Sequence, residues 1–530
     1  MPGIHLLALR AGISYVLTPL CSYNFKSPVF LSDSHNASDP MTYRIPGLVL
    51  TLAFWLTTCI STGCWGQDFR NWTTKDGTRS KTRLKLVDSN DTQVRLQRED
   101  NDKIITMKLS ALSSLDRLYL RKQNKPDPAV ATSDRENVGE WPQWRGPNRD
   151  GKSPAVGLLT QWPDAGPKLI WNVTGLGKGY STPAVVGDKV YVLGTKGGEE
   201  FIFAMSVDDG SKLWDARMGS ISEGGGFKGP KGTPTIDDDK IYAIGSDGTL
   251  VCVKRDGGEE VWQKNFKSDF GGQHGSWDYA ESPLVDGEKL ICTPGGGKST
   301  LVALNKSNGA PIWKSPIGSS VSDGFARAGY SSAIVATIGG TRQYINFLHG
   351  GVVGVAANNG QPLWHYDNPA NTTANCSTPV ALGDSVFAAS GYGTGGGRAQ
   401  VVRQGGNWDI REKYFVKQMQ SHHGGFILHD GYIYGTNNSV LICLDWKTGD
   451  IRWKDRCVGK GSVSLADGHL YVRGEGGAVA LVAATPDSYQ EKGRFEQPDR
   501  SDKNAWAHPV VARDRLYLHD QDRLLCYELK

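Results

Sequence analysis

The stretch LICLDWKTGDIRW, Leu441–Trp453, decides the fold. An apolar run from Leu441 to Leu444 leads into the turn Lys447-Thr448-Gly449-Asp450, and a second short strand carries Trp453. Gly449 suits the turn because it lacks the Cβ that penalises positive φ. The same design recurs as FIFAMSVDDGSKLW ending at Trp214, VCVKRDGGEEVW at Trp262, LVALNKSNGAPIW at Trp313 and VVGVAANNGQPLW at Trp364. Successive separations are 48, 51 and 51 residues, and the 89 from Trp364 to Trp453 leave room for a worn copy around Trp408 to Tyr414. A β-rich, Gly-punctuated repeat of this length predicts a β-propeller.

A second phrase, strand–turn–strand, opens each unit. It reads STPAVVGDKVYVLG from Ser181, GTPTIDDDKIYAIG from Gly232, ESPLVDGEKLICTPG from Glu281, SSAIVATIGGTRQYINF from Ser331 and STPVALGDSVFAAS from Ser377. GGFILHDGYIYGT from Gly424, GSVSLADGHLYVR from Gly461 and AHPVVARDRLYLHD from Ala507 bring the copies to eight. The last copy has no Trp strand after it, whereas PKLIWNV (Pro167 to Val173) supplies Trp171 before the first copy. Joining the two closes the ring and leaves no sheet edge open. The expectation is an all-β chain: an eight-bladed propeller over 141–530, its first strand completing the last blade. Trp171, Trp214, Trp262, Trp313, Trp364 and Trp453 then fill the wedge that widens between blades, each over a turn glycine, with the indole N–H reaching a backbone carbonyl.

Composition agrees. The 66 glycines in 530 residues exceed the usual ~7%, as many tight turns require. A net charge of +4 with acids and bases interspersed argues against nucleic acid as a partner. Nine cysteines show no CxxC, no CxxCH and no vicinal pair, so haem and zinc-ribbon spacings are absent. Cys252, Cys443 and Cys526 hold one place in three repeats (LVCV, LICL, LLCY) and read as small core residues.

Upstream of the repeats, residues 1–40 differ from all that follows and read as an over-extension. Met41 opens a better leader: Arg44, then the apolar Leu48 to Ile60, then small residues before Gly66-Gln67. Residues 41–66 thus read as a signal peptide, which predicts a periplasmic or extracellular protein. Ser61-Thr62-Gly63-Cys64 is distantly similar to a lipoprotein cleavage site without its Leu, so the membrane enters through the leader or, as the lesser alternative, a lipid anchor. Residues 67–123 alternate apolar and polar between Asp-Gly and Asn-Asp turns and end in LSSLDRLYL (Leu112 to Leu120), predicting a small SH3-like barrel. Residues 124–140 are a polar linker. EWPQWRGPNRDGKSPAVGLLTQWP then reads as a strap anchored by Trp141, Trp144 and Trp162; the two leading tryptophans either seal the propeller or form a stacking platform.

Two resemblances follow. The opening Trp72 to Gly77 and the closing Leu112 to Leu120 resemble the Sla-one homology domain one family, which implies a peptide- or protein-binding module. Leu441–Trp453 matches A-x-D-x-x-T-G-x-x-x-W, the repeat of quinoprotein dehydrogenases that use pyrroloquinoline quinone (PQQ), with Cys443 in the Ala place. Residues 141–530 resemble the PQQ-like propellers of planctomycete-type bacteria, some of them polyvinyl-alcohol dehydrogenase-like, and the same ring serves a non-enzymatic lipoprotein scaffold of outer-membrane assembly.

The resemblance implies PQQ with Ca²⁺ in the dehydrogenases, together with a vicinal Cys pair that this chain lacks. The favoured expectation is a monomeric binding or scaffold propeller for a protein or extracellular polymer, with no assigned metal ligands. The alternative is a PQQ- or metal-dependent oxidoreductase on alcohols or sugars. Candidate mouth residues are His422 and His423 in QSHHGGF, His274 in FGGQHGSWDY, His349 in FLHGG, and Arg327, all in Gly-rich connections. A neutral imidazole there is able to take a proton or bind a metal. With Lys228 and Lys231 these residues predict a mildly cationic mouth.

Overall fold

The computed structural model describes residues 71–72, 74, 80–89, 93–101, 103–112, 139–222, 225–317 and 324–530. The expected over-extension, the leader, nearly all of the linker and most of both Sla-one-like motifs lie outside these residues.

The small N-terminal unit contains an antiparallel sheet of Leu84–Ser89, Gln93–Arg98 and Ile104–Lys108 in chain order. Trp72, Leu84, Val94, Leu96 and Leu112 form its core. Trp72 Nε1 donates to Leu84 O at 3.0 Å, so the indole is buried with its N–H satisfied.

From Ala184 onward the strands come in fours. Eight four-stranded antiparallel sheets begin at Ala184, Thr235, Leu284, Ile334, Val380, Phe426, Gly461 and Val510. The first seven are meanders in chain order. The eighth takes its outer strand from far upstream: Leu169–Thr174 pairs with Arg523–Glu528, placing Trp171 opposite Cys526. Each sheet is apolar on both faces, so it needs a neighbour on each side. Each consecutive pair of sheets shares one apolar cluster. The last and first sheets share another, in which Trp171, Tyr517 and Cys526 meet Val190, Phe203 and Met205.

The tryptophans join sheets rather than capping their own turns. A Cβ on Gly210 would meet Trp171 Cε3 at 2.8 Å, one on Gly258 Trp214 at 2.8 Å, one on Gly309 Trp262 at 2.8 Å, and one on Gly360 Trp313 at 2.3 Å. In each case the glycine belongs to the turn of the following sheet. Opposite each indole on the neighbouring strand stands a small residue: Ala204, Cys252, Ala303, Gly354, Cys443 or Cys526. That is why cysteine and alanine alternate at this place, and those three cysteines are buried and free.

The expected indole-to-carbonyl bonds form at Trp171 (Val207 O, 2.9 Å), Trp262 (Lys306 O, 3.0 Å) and Trp453 (Thr485 O, 2.8 Å). Trp364 differs, donating to Gln343 Oε1 at 2.6 Å. Trp313 Nε1 has no partner, and the equivalent carbonyl, Ala357 O, accepts from Lys289 Nζ at 2.7 Å. Trp214 Nε1 is likewise unpartnered, and nothing in its surroundings explains it.

Two sheets lack the tryptophan and solve the wedge otherwise. In the fifth, Tyr414 stands over Gly449 of the sixth, while Trp408 sits farther along the long Gly395–Gln404 and Asn407–Val416 hairpin. In the seventh, Gly493 holds the Trp place opposite Leu481, and Trp162 of the strap fills the space, its Cβ 2.5 Å from where a Gly493 Cβ would lie.

Candidate functional site

The strap crosses the inner ends of the sheets. Trp141 pairs with Val185 of the first sheet, and Pro142 O accepts from Ile236 N of the second at 2.9 Å. Arg149 donates to Ser282 O (2.9 Å) and Pro283 O (3.1 Å) before the third sheet, and Arg145 to Phe426 O (2.6 Å) of the sixth. Leu465 of the seventh pairs through its backbone with Gly151 and Ser153. Both arginines are buried, and burial pulls each guanidinium down to about 10. Arg145 and Arg149 have positive φ, 61° and 56°, a backbone state that residues with a Cβ rarely adopt; the strap is bent to reach opposite sheets.

Above the strap lies a cavity of about 480 Å³. Its wall follows a simple rule. The residue immediately before each of the eight recurrent phrases lines it: Tyr180, Lys231, Ala280, Tyr330, Cys376, His423, Lys460 and Trp506. Two positions further on, Ser and Thr tie neighbours together. Ser282 Oγ accepts from Thr233 N (2.8 Å), Ser332 Oγ from Ser282 N (2.9 Å), and Thr182 Oγ1 from His508 N (3.0 Å). All eight sheets therefore deliver their entering segments to one space.

The two leading strap tryptophans divide the roles expected of them. Trp141 is buried in the cluster joining the eighth and first sheets. Trp144 lines the cavity, donates to Thr378 Oγ1 at 2.8 Å and packs 4.6 Å from the His508 ring. Aromatic rings continue up one side: Trp506 lies 4.8 Å from Tyr180 and 4.6 Å from Phe227, and Trp277 packs edge-on to Tyr330 at 5.8 Å.

Of the five sequence candidates, His422 and His423 line the cavity. Tyr392 Oη and His422 Nε2 are hydrogen-bonded at 2.7 Å, the two Nδ1 atoms lie 3.2 Å apart, and His423 Nδ1 is 3.5 Å from Glu475 Oε1. Trp506 Nε1 (2.6 Å) and Lys460 Nζ (3.1 Å) meet the same carboxylate oxygen. Burial holds His422 down at about 4, helped by the charge of Lys460, and His423 well below its ordinary range, so both rings are neutral. The other three candidates are not among the residues lining this cavity. His274 bonds Gly275 O at 2.7 Å in its own turn, His349 O accepts from Asn375 Nδ2 at 2.8 Å, and Arg327 O accepts from His349 N at 3.1 Å.

The expected cationic mouth is muted. Lys231 is buried against Asp278 Oδ2 at 3.7 Å and Lys460 is matched by Glu475; burial lowers Lys231 further. Sequence reading missed Tyr180, Cys376, Lys460 and Trp506. The signal was present: each occupies the position one residue before a quoted phrase, equivalent to that of His423.

Comparison with known proteins places these features. Residues 198–455 match the family model described as outer membrane protein assembly factor BamB. The repeat is BamB-like. BamB of Burkholderia pseudomallei (strain K96243) is 27% identical over 268 residues, which are 43% of this chain and 67% of that protein. BamB of Shewanella oneidensis (strain MR-1) is 25% identical over 221 residues, 41% of this chain and 50% of that protein, so the chain spans only about half the length of this relative. Among solved structures, BamB from Moraxella catarrhalis aligns with a TM-score of 0.50 at 15% identity, over 68% of this chain and 97% of that one. Quinohemoprotein alcohol dehydrogenase from Comamonas testosteroni aligns at 0.53 and 13% identity, over 77% and 84%. At such identities the likeness concerns the fold: a propeller of the BamB and quinoprotein-dehydrogenase kind.

The dehydrogenase likeness raises PQQ with Ca²⁺. Calcium takes about six to eight oxygen ligands, carboxylates prominent among them. No carboxylate lines the cavity among the described residues; its two lining lysines, Lys460 and Lys231, are paired with Glu475 and Asp278. Cys376 lines it alone, its thiol pushed by burial up to about 12. The lining does not fit the calcium–quinone pair, and no step is derived through it.

Proposed function

We propose that this chain is an exported, eight-bladed BamB-like propeller that holds a protein partner at its mouth, acting as a binding or scaffold protein. The observation that carries the reading is the aromatic-walled cavity to which all eight sheets contribute. Its charged groups are paired internally, so the free binding surface is rings and amides, including Asn438 and Asn504. Aromatic side chains present large, rigid, amphipathic contact area, which is why they dominate protein-recognition sites.

The BamB-named relatives, described as outer membrane protein assembly factors, support a protein partner and an envelope location, as does the leader read at 41–66. The closing strand Leu169–Thr174 and the cluster shared by last and first sheets support eight blades in a closed ring. The small sheet around Trp72 is proposed as a second, SH3-like protein-binding module of Sla-one homology type.

The test is capture from a cell-envelope extract by the immobilised full chain, in parallel with Trp506→Ala. Retention of a defined protein by wild type and its loss in the variant support the reading; equal retention by both contradicts it. In parallel, saturable PQQ binding with Ca²⁺ and dye-linked alcohol oxidation would promote the oxidoreductase alternative.

A further inference from the structure

We infer that His422, His423 and Glu475 form a site for a borderline-soft divalent cation, Zn²⁺ or Cu²⁺, where two histidines of the cavity wall meet the Glu475 carboxylate. The inference stands apart from the partner-binding reading. One donor atom from each of the three side chains lies within 4.8 Å of the others. For metal–nitrogen bonds of about 2.0–2.1 Å, a tetrahedral ion separates neighbouring donors by ~3.3 Å. The observed separations bracket that edge: 3.2 Å between the two Nδ1 atoms and 3.5 Å from His423 Nδ1 to Glu475.

The surroundings have the form of an outer shell. Tyr392 Oη accepts from His422 Nε2–H in the tautomer that leaves the Nδ1 lone pair facing the cluster. Such partners fix ring orientation and ligand basicity at metal sites. Trp506 Nε1 and Lys460 Nζ orient the Glu475 carboxylate through Oε1, the oxygen that stands 3.5 Å from His423 Nδ1. His423 Nε2 is buried and has no protein partner, so the ring is incompletely satisfied as it stands. An unpartnered buried polar atom costs free energy.

Two imidazoles and one carboxylate select Zn²⁺ or Cu²⁺ over Ca²⁺ or Mg²⁺, which prefer all-oxygen shells. Three protein ligands beside an open cavity leave a coordination position for a group of a bound molecule.

The experiment uses the chelator-treated full chain. Calorimetric titration with Zn²⁺, and electron paramagnetic resonance with Cu²⁺, are run on wild type, His422→Ala, Glu475→Gln, Tyr392→Phe and the remote control His274→Ala. The expected result is one equivalent bound, nitrogen hyperfine structure from two imidazoles, and no change in His274→Ala. Tyr392→Phe, a positioning change, is expected to weaken binding by ~10–100-fold, and the two ligand variants by more. Circular dichroism establishes that each variant is folded. No saturable binding of either ion, or equal binding by wild type and Glu475→Gln, would overturn the site. So would a copper spectrum without imidazole nitrogen.

Discussion

The outer and inner ends of the same sheets obey opposite rules. At the outer docking place, six of eight sheets carry tryptophan, one carries tyrosine, and the seventh borrows Trp162 from the strap. At the inner place, one residue before each phrase, the eight residues are Tyr, Lys, Ala, Tyr, Cys, His, Lys and Trp. The outer environment recurs: each of the six indoles stands opposite a small residue on its own sheet, and Trp171, Trp214, Trp262 and Trp313 also lie over a turn glycine of the next. Identical surroundings demand identical side chains. The inner residues face a shared cavity, where no neighbouring sheet dictates their shape, so they are available for recognition.

The largest effect expected from breaking the outer rule is at Trp453. Trp453→Ala removes a buried ring whose N–H bonds Thr485 O, and should cost roughly 3–5 kcal/mol by chemical denaturation. A loss below about 1 kcal/mol, far under that range, would mean the indole does not dock neighbouring sheets.

Next is Gly360→Ala. The new Cβ would lie 2.3 Å from Trp313 Cε3, at a φ of +73°, and overpacking with backbone strain should cost about 1–3 kcal/mol. Wild-type stability in this variant would show that the glycine is a turn residue only.

Glu281 sharpens the comparison one step out from the cavity. It is fully enclosed, accepts from Thr293 N and Oγ1, and burial raises its carboxyl to about 7. A carboxyl raised above its unfolded value of ~4.3 favours the folded state most below that pH. That advantage is lost as pH rises through about 7. Glu281→Gln should therefore gain thermal stability relative to wild type between pH 4.5 and 7.5, about the window set by the two values. A pH-independent difference would show that Glu281 does not titrate there.

The smallest effect is expected on the inner ring: Ala280→Ser should change stability by less than about 0.5 kcal/mol, measured by the same denaturation. A loss comparable with that of Gly360→Ala would erase the distinction between the two ends.

The repeating half of this account was legible in the sequence. The spacing from Trp214 to Trp453 located the sheets, and the missing Trp strand after Ala507 pointed to pairing of Trp171 with the last strand. What the repeat hid was direction: that Trp171, Trp214, Trp262 and Trp313 lie over the following sheet's glycine, because inter-sheet contact leaves no trace in local spacing. The compensation at Gly493 was equally invisible, since Trp162 comes from 331 residues away. The site was half legible. His422 and His423 stood out as a rare pair in a Gly-rich connection, and they do line the cavity. Glu475 did not stand out, because it sits in an ordinary turn and meets the histidines only through the ring geometry. His274, His349 and Arg327 share the same Gly-rich context but do not line the cavity, and the His274 ring bonds Gly275 O instead.

The most direct test of the division between rim and mouth is site-specific photocrosslinking in cells. A photoreactive phenylalanine analogue is placed at Tyr330 in the cavity wall and, separately, at Leu213 on the outer strand of the first sheet, where the side chain is 47% exposed. A discrete adduct with another protein is expected from position 330 and none from position 213. An adduct from 213 with none from 330 would contradict that division, placing recognition on the repeated rim rather than on the varied mouth.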